Sequence, residues 1–263
     1  MIIFLYSYKE WPFKPHKKYK WKLHSYRGHS LPTIANKDNK FQHFQSYSEY
    51  YEDLILYIIL SDIEKGFYID IGAYDPNKVS VTKMFYLKGW HGINIEPLSD
   101  QIKKFYLERP NDINLQLVVG KEEGNVTFYI DDQCSTVLTN YSKGAKNKTI
   151  IKMDTMSNIC KRYVPKGTEV DFCKIDIEGG ERDALLGYDF INYRPKVFCI
   201  ESTIPKTRIP NHQLWENILI ENNYSYVYTR GVNRYYVNNN MPNLLEKAKN
   251  ITRELKIKFN KYI

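Results

Sequence analysis

The sequence predicts an α/β fold, a Rossmann-like doubly wound sheet of seven mostly parallel strands with an antiparallel C-terminal hairpin. Short apolar runs alternate with helical patterns from residue 47 onwards, which is typical of a sheet covered by helices on both faces. The run 67–71 is almost wholly aromatic or β-branched and passes directly into a turn at Gly72. The strands predicted over 224–228 and 234–237 follow each other too closely for a parallel crossover, so they must be antiparallel.

The composition is that of a folded soluble protein. Of the 263 residues, 43% are hydrophobic and 26% are charged, a balance that excludes an intrinsically disordered chain. The longest apolar run, 54–60, is far shorter than the roughly 20 residues that a membrane-spanning helix needs. The four cysteines show no CxxC or other metal-type spacing. We therefore expect a reduced, cytoplasmic protein without a transmembrane segment.

The positive charge is concentrated in an N-terminal arm, predicted over residues 1–45. Nine lysines and arginines stand against two acids in residues 1–48, so +7 of the net charge of +8 lies there. Three prolines in the arm argue against one continuous helix, and we expect an irregular extension with short strands or turns at most. Its interleaved aromatic residues could stack on bases or sugar rings, or equally pack against the domain while the lysines stay solvated.

After the arm, the pattern predicts a domain over 46–241 and a lysine-rich helical tail over 242–263. The first elements of the domain alternate between helix and strand, with Gly89 and Pro110 marking helix ends. They are a helix over 48–60 capped by Ser48, a strand over 67–71, a helix with Pro76 in its first turn that continues over 80–87, a strand over 93–97 and a helix over 99–108.

The second half of the domain resumes this alternation after a predicted hairpin. A strand over 113–119 turns at Gly120 into a second strand over 126–130. The polar segment 131–149 has few apolar anchors and is predicted to be a long functional loop. The remaining elements are a strand over 150–153, a helix over 155–163, a strand over 170–176, a helix over 181–186, a strand over 197–201 and a helix over 212–222.

Four of the predicted parallel strands end in an acid: Asp70, Glu96, Asp176 and Glu201. Because the carboxyl ends of parallel strands meet at one edge of a sheet, we expect these carboxylates to line one crevice. A single acid can simply mark the point where a strand leaves the core. Four such acids together are a much stronger indication of a ligand site.

The charge of this crevice selects among ligands. A dinucleotide site uses several glycines so that the backbone approaches a pyrophosphate, whereas here one glycine, Gly72, is flanked by acids. Carboxylates this close to a diphosphate would repel it by several kcal/mol at reduced dielectric. S-adenosylmethionine carries an ammonium and a sulfonium and no phosphate, so it suits the crevice. Glu96 is then expected to accept both ribose hydroxyls, and Asp70 and Asp176 to face the methionine end.

Two groups of motifs resemble FkbM-type methyltransferases, in the same order along residues 47–202. The first group is Ile69-Asp70-Ile71-Gly72-Ala73, Ser80-Val81-Thr82 and Gly89-Trp90-His91-Gly92-Ile93 with Glu96-Pro97. The second is Lys174-Ile175-Asp176-Ile177-Glu178-Gly179 with Glu181, Leu186-Gly187, Arg194-Pro195 and Ile200-Glu201. The resemblance implies S-adenosylmethionine-dependent O-methylation of a hydroxyl on a sugar, glycan or related small metabolite. Many members of the family act in surface-polysaccharide biosynthesis.

The resemblance and the strand ends together define the predicted site residues. The cofactor-binding set is Asp70, Gly72, Ala73, Tyr74, Ser80, Glu96, Pro97 and Val119. The catalytic set is Asp176, Glu178 and Glu201, of which Asp176 with one of the two glutamates is expected to act at the acceptor hydroxyl. The chain departs from the family pattern at Tyr74, where Asn is common, and at Pro76, where glycine is frequent.

Structural roles compete with the catalytic ones. Glu178 could cap the following helix, and Glu201 could pair with Arg194 or Lys174. No residue is assigned as a metal ligand, although Asp176 with either glutamate leaves a divalent ion open as an alternative.

Two other functions are weighed against a sugar or glycan O-methyltransferase. The basic arm could grip RNA, but the chain after Cys173 lacks the Asn/Asp-Pro-Pro-Tyr or cysteine motif typical of nucleobase methyltransferases, so nucleic acid is not the expected partner. The domain could also be a non-catalytic module that kept the cofactor fold.

Overall fold

The computed structural model describes residues 20–26, 29–35, 41–43, 46–131, 134–143 and 145–259. The chain divides into two compact units, Met1–Ser46 and Tyr47–Ile263. Within the described residues, no helix is both long and apolar enough to cross a membrane.

The N-terminal unit contains a small antiparallel sheet. Its strands are β1 (Lys20–Tyr26), β2 (His29–Ala35) and β3 (Phe41–His43), in the order β1-β2-β3. The sequence predicts only short strands or turns here, yet two of the three strands have seven residues. Pro32 is compatible with the central strand because, among the described residues, β3 pairs only with residues 33–35 and leaves no partner beside Pro32 on that side. Prolines 12 and 15 lie outside the described residues.

The second unit is built on a seven-stranded sheet, as the sequence predicts. From one edge to the other its strands are β12 (Tyr224–Arg230), β13 (Asn233–Asn238), β11 (Val197–Glu201), β10 (Phe172–Ile175), β4 (Phe67–Ile71), β5 (His91–Ile95) and β6 (Ile113–Leu115). The five strands from β11 to β6 are parallel to their neighbours within this set, and β13 is antiparallel to both β11 and β12. The predicted antiparallel hairpin is therefore confirmed.

A second, three-stranded sheet departs from the sequence-based expectation. It contains β7 (Val118–Gly120), β8 (Gly124–Ile130) and β9 (Asn147–Thr155), in the order β7-β9-β8. The strand predicted over 113–119 is thus two strands in two sheets. The predicted loop 131–149 is also shorter, because β9 begins at Asn147 and runs for nine residues. The first four residues of β9 are exposed, so their polarity concealed the strand.

Seven α-helices occur in the described part of the chain. They are α1 (Glu52–Ile59), α2 (Lys83–Leu87), α3 (Ser99–Glu108), α4 (Met156–Tyr163), α5 (Glu181–Leu186), α6 (Glu216–Glu221) and α7 (Pro242–Phe259). Three begin at least three residues later than predicted. The Ser48 hydroxyl bonds to the Asp53 carboxylate ahead of α1, and Tyr51 adopts a left-handed backbone, so the helix starts at Glu52. The helix predicted to have Pro76 in its first turn starts only at Lys83. The helix predicted over 212–222 begins with a 3-10 turn, His212–Leu214, and becomes α-helical at Glu216.

The strands that carry the site are buried on both faces. Every residue of β4, β10 and β11 is buried. On one face, the rings of Tyr68, Phe85, Trp90 and Phe172 pack with centroids 4.7–6.1 Å apart. This aromatic cluster holds α2, through Phe85, against the central strands.

A buried arginine organises the segment between β4 and α2. Arg109 is 1% exposed, and its guanidinium donates to the Pro76 carbonyl (2.6 Å), the Ser80 hydroxyl (2.7 Å) and the Thr82 hydroxyl (2.6 Å). Thr82 in turn donates to Asp70 Oδ2 at 2.8 Å. A buried charge is tolerated only when it is fully hydrogen-bonded, and this network holds residues 76–82 in an irregular path instead of a helix.

We expect Arg109→Met to lower the free energy of unfolding by about 3–5 kcal/mol, because three buried oxygens lose their charged donor. Urea denaturation of the full chain measures the change. The control is Lys103→Met, whose side chain is 68% exposed in a surface ion pair, for which a change of about 0.5 kcal/mol or less is expected. Equal losses in the two variants would contradict this role for Arg109.

Candidate functional site

The candidate site is an open cleft at the carboxyl ends of β4, β5 and β10, with a volume of about 600 Å³ when the space open to solvent is counted. Its lining includes five residues of the predicted cofactor set: Gly72, Tyr74, Glu96, Pro97 and Val119. It also includes Asp176 and Glu178 of the predicted catalytic set. The rest of the lining is largely apolar and includes Leu98, Leu117 and Phe128. The cleft therefore combines an apolar wall with converging carboxylates.

The floor of the cleft is the Gly72 turn that follows β4. Gly72 has φ +76°, and a Cβ at this position would lie 1.8 Å from the carbonyl oxygen of Asp176. The backbone N–H groups of Gly72 and Ala73 both donate to the Ile95 carbonyl, at 3.0 and 3.1 Å. Only glycine fits between the ends of β4 and β10 in this conformation.

Glu96, directly after β5, presents a fixed carboxylate to the cleft. It is 4% exposed, and its two oxygens accept the backbone N–H groups of Tyr74 (2.8 Å) and Leu98 (2.7 Å). Each carboxylate oxygen keeps a further lone pair, so the group can accept two more hydrogen bonds from a hydroxyl pair. Burial raises the pKa of Glu96 to about 7, against the opposing effect of these two N–H donors.

Tyr74 reaches Glu96 through a strained backbone. Its φ of +52° lies in the left-handed region, which Asn and Gly adopt more readily than Tyr. A tyrosine in place of the Asn common in the family therefore costs the loop about 1 kcal/mol or more of backbone strain. Its backbone N–H nevertheless donates to Glu96.

Three of the predicted cofactor residues lie outside the cleft lining. Asp70 is 1% exposed and sits below the turn, where Oδ2 accepts the Thr82 hydroxyl. Ala73 packs in a separate apolar cluster with Ile102 and Phe105. Ser80 accepts a hydrogen bond from Arg109. The structure thus gives these three side chains supporting positions, because the strand end and the following loop turn them away from the cleft.

Lys174 lies beneath the candidate cleft, whereas the sequence indicated it only as an alternative partner of Glu201. Its side chain is 9% exposed, and Nζ donates to the Gly72 carbonyl at 2.7 Å. Nζ also lies 3.5 Å from Asp70 Oδ1 and 3.5 Å from Asp176 Oδ2. Burial lowers the pKa of Lys174, but the carboxylates of Asp176 and Asp70 outweigh it, so the net shift is upward and the ammonium stays charged. A lysine inside an otherwise apolar strand is the signal that points to such a role.

Asp176, Glu178 and Glu201 converge at the other side of the Gly72 turn. Each offers one carboxylate oxygen to a cluster whose members all lie within 4.8 Å of one another. Burial, reinforced by Asp176, raises the pKa of Glu178 to about 8. Burial and the neighbouring Asp176 also raise the pKa of Glu201 well above its ordinary value.

The competing structural roles for the two glutamates are not what the structure shows. Glu181, and not Glu178, satisfies the turn before α5, because its Oε1 accepts the N–H groups of Ile177 (3.2 Å) and Gly179 (3.1 Å). Arg194 donates to the carbonyls of Phe190 and Asn222, both at 2.7 Å, and not to Glu201.

The chain matches a known methyltransferase family and is similar to one of its solved structures. The model of the methyltransferase FkbM domain family matches residues 70–227, which is more than half of the chain. Among solved structures, the chain is similar to the methyltransferase FkbM from Methylobacillus flagellatus KT, with 15% identity and a TM-score of 0.43. That likeness covers 66% of this chain and 44% of the other, so the chain spans less than half the length of that protein. No curated protein sequence matches the chain.

We expect Gly72→Ala to lower the free energy of unfolding by about 2 kcal/mol or more, because the new methyl group meets a carbonyl oxygen and the backbone is left-handed. The matched control is Gly124→Ala, since a Cβ there would meet nothing within 4 Å. Urea denaturation of both variants measures the difference. Indistinguishable unfolding midpoints for the two variants would contradict the close approach of the Gly72 and Asp176 turns.

Proposed function

This chain belongs to the FkbM methyltransferase family, and from that premise we propose that it is an S-adenosylmethionine-dependent O-methyltransferase acting on a hydroxyl of a sugar, glycan or related small metabolite. The observation that carries the proposal is Glu96. Its carboxylate is buried, held by two backbone N–H groups and directed into the same cleft as Gly72 and Asp176. A nucleoside with a ribose hydroxyl pair is the ligand that such a group suits.

The charge of the cleft supports this cofactor. Asp176 and Glu178 line it, Glu201 stands beside them, and Lys174 already contacts Asp70 and Asp176. An excess of carboxylates at reduced dielectric favours a ligand with an ammonium and a sulfonium and opposes a diphosphate. The donor set therefore fits S-adenosylmethionine.

In this proposal, each lining residue has a separate binding role. Glu96 accepts the ribose hydroxyls, the Gly72 turn allows close approach to the backbone, and Asp176 faces the ammonium of the methionine end. Val119, Pro97 and the neighbouring apolar side chains supply a surface for the adenine ring. When bound, the cofactor supplies an electrophilic methyl group on a sulfonium.

The cluster of Asp176, Glu178 and Glu201 supplies the group that accepts the proton of the acceptor hydroxyl. Methyl transfer to a hydroxyl needs alignment of the two reacting groups and a group that accepts the hydroxyl proton. Asp176, whose side chain is 35% exposed toward the cleft, is placed to accept that proton. Glu178 and Glu201, whose pKa values are raised, are the groups that hold a proton most readily near Asp176.

We place the reaction in the cytoplasm and in surface-polysaccharide biosynthesis, because many members of the family act in that process.

We expect S-adenosylhomocysteine to bind about tenfold more weakly at pH 6 than at pH 8, because Glu96 gains a proton below its pKa of about 7 and loses acceptor capacity. Lys174 and Asp70 are the charged groups that act on Glu96, with opposite signs. Isothermal titration calorimetry across this range measures the affinity. Glu96→Gln should bind weakly at every pH, whereas the exposed control Glu108→Gln should keep the wild-type profile. A flat wild-type profile would contradict the role of Glu96.

We expect Asp176→Asn to reduce methyl transfer by about 10²-fold or more, since the proton acceptor is lost. The assay follows S-adenosylhomocysteine formation with a panel of monosaccharides and nucleotide-activated sugars. The matched control is Asp183→Asn on α5, which should be unaffected. Binding of S-adenosylhomocysteine without turnover of any acceptor would favour a non-catalytic module, and absence of binding would overturn the proposed cofactor.

A further inference from the structure

The acid cluster of Asp176, Glu178 and Glu201 has the dimensions of a metal site. Its three oxygens lie within 4.8 Å of one another. Two oxygens bound to one ion are separated by at most twice the metal–oxygen distance, which is about 4.2 Å for Mg²⁺ and about 4.6–5.2 Å for Ca²⁺. The cluster therefore accepts a larger ion as it stands and a smaller one after a slight movement of a side chain.

A second observation points to a ligand at this cluster. Glu201 is 7% exposed, and its Oε2 has no hydrogen-bond partner among the described residues. Its Oε1 accepts one bond, from the Thr203 hydroxyl at 3.2 Å. Oε2 of Glu178 is likewise buried and without a hydrogen-bond partner in the described part of the chain. A buried carboxylate with no donor is costly unless a proton or a cation compensates it.

Among the described residues, no lysine or arginine forms an ion pair with these two glutamates, although Lys206 acts on Glu178 at longer range. Lys174 forms its ion pairs with Asp70 and Asp176. Lys206 forms its ion pair with Asp131. The thiol of Cys134 lies beside Glu178 but carries no positive charge. The negative charge of the cluster therefore exceeds what the described side chains around it neutralise.

We propose that Asp176, Glu178 and Glu201 bind one divalent cation of the oxygen-preferring class, such as Mg²⁺, Mn²⁺ or Ca²⁺. All three ligands are carboxylates, and no histidine or cysteine of the described residues belongs to the set, which is the donor chemistry that these ions prefer. Three protein ligands leave coordination positions free, and because Asp176 and Glu178 line the cleft, those positions are reached from it.

The site also specifies an acceptor class, an inference that rests on the proposed function. A cation with free positions at the cleft binds two neighbouring oxygens better than one, which favours acceptors with adjacent hydroxyls. The acceptor oxygen forms the new C–O bond to the methyl group, the C–S bond breaks with its electron pair left on sulfur, and the hydroxyl proton passes to a carboxylate of the cluster. Binding of the hydroxyl to a cation makes that proton easier to lose.

The test is direct binding of Mn²⁺ to the chelator-treated full chain, followed by electron paramagnetic resonance and isothermal titration calorimetry. We expect one Mn²⁺ per chain, displaced by excess Mg²⁺ or Ca²⁺, and a loss of affinity of at least tenfold in Glu201→Gln. Glu178→Gln, at a less buried position, provides a second variant if Glu201→Gln fails to fold. The exposed control Glu123→Gln should bind as the wild type does.

The outcomes separate this inference from the proposed function. Absence of stoichiometric Mn²⁺ binding, or unchanged binding in both cluster variants, overturns the cation site while leaving S-adenosylhomocysteine binding through Glu96 intact. Methyl transfer that proceeds equally well after removal of metal by EDTA overturns the role of the cation at the acceptor. Saturable Mn²⁺ binding together with preference for vicinal diols over isolated hydroxyls supports both parts.

Discussion

The buried ammonium of Lys174 is the interaction on which the rest of the site depends. It lies between the carboxylates of Asp70 and Asp176 and donates to the carbonyl of Gly72, so one cation ties the end of β4 to the end of β10. The two turns approach so closely that a Cβ at Gly72 would overlap the carbonyl of Asp176. Without this charge, two acids at adjoining strand ends would repel each other across a low-dielectric gap.

The same charge is anchored to the core through a chain of hydrogen bonds. Asp70 contacts Lys174 with one oxygen and accepts the Thr82 hydroxyl with the other, and Arg109 donates to Thr82 and to the carbonyl of Pro76. The loop that lines the candidate cleft is therefore held from beneath by buried polar contacts. A site that must hold a ligand in a fixed orientation gains from such support, because the loop itself has little regular structure.

The sequence predicts the sheet and the acids at its strand ends, but it does not predict which contacts each acid makes. Strand periodicity shows that Asp70 and Asp176 end their strands, whereas the contact between Asp70 and Lys174 follows from the parallel register, which pairs Lys174 with Asp70 across β10 and β4. Register between strands about 100 residues apart leaves no local pattern. For the same reason, no local pattern predicts the hydrogen bond from Arg109 to Ser80. The strand β9 was predicted too short because its first, exposed residues are polar and resemble a loop.

The acids in and beside the cleft are in three different electrostatic states, which distinguish the two ends of the site. Asp70 is paired with an ammonium, and Glu96 is held by two backbone N–H groups. Glu178 and Glu201 each keep an oxygen that no described donor satisfies, next to Asp176. The uncompensated negative charge is therefore confined to the far side of the Gly72 turn from Glu96. Under the proposed function, the hydroxyl pair of the nucleoside binds at Glu96, and the surplus charge marks the end of the cleft where the acceptor hydroxyl loses its proton.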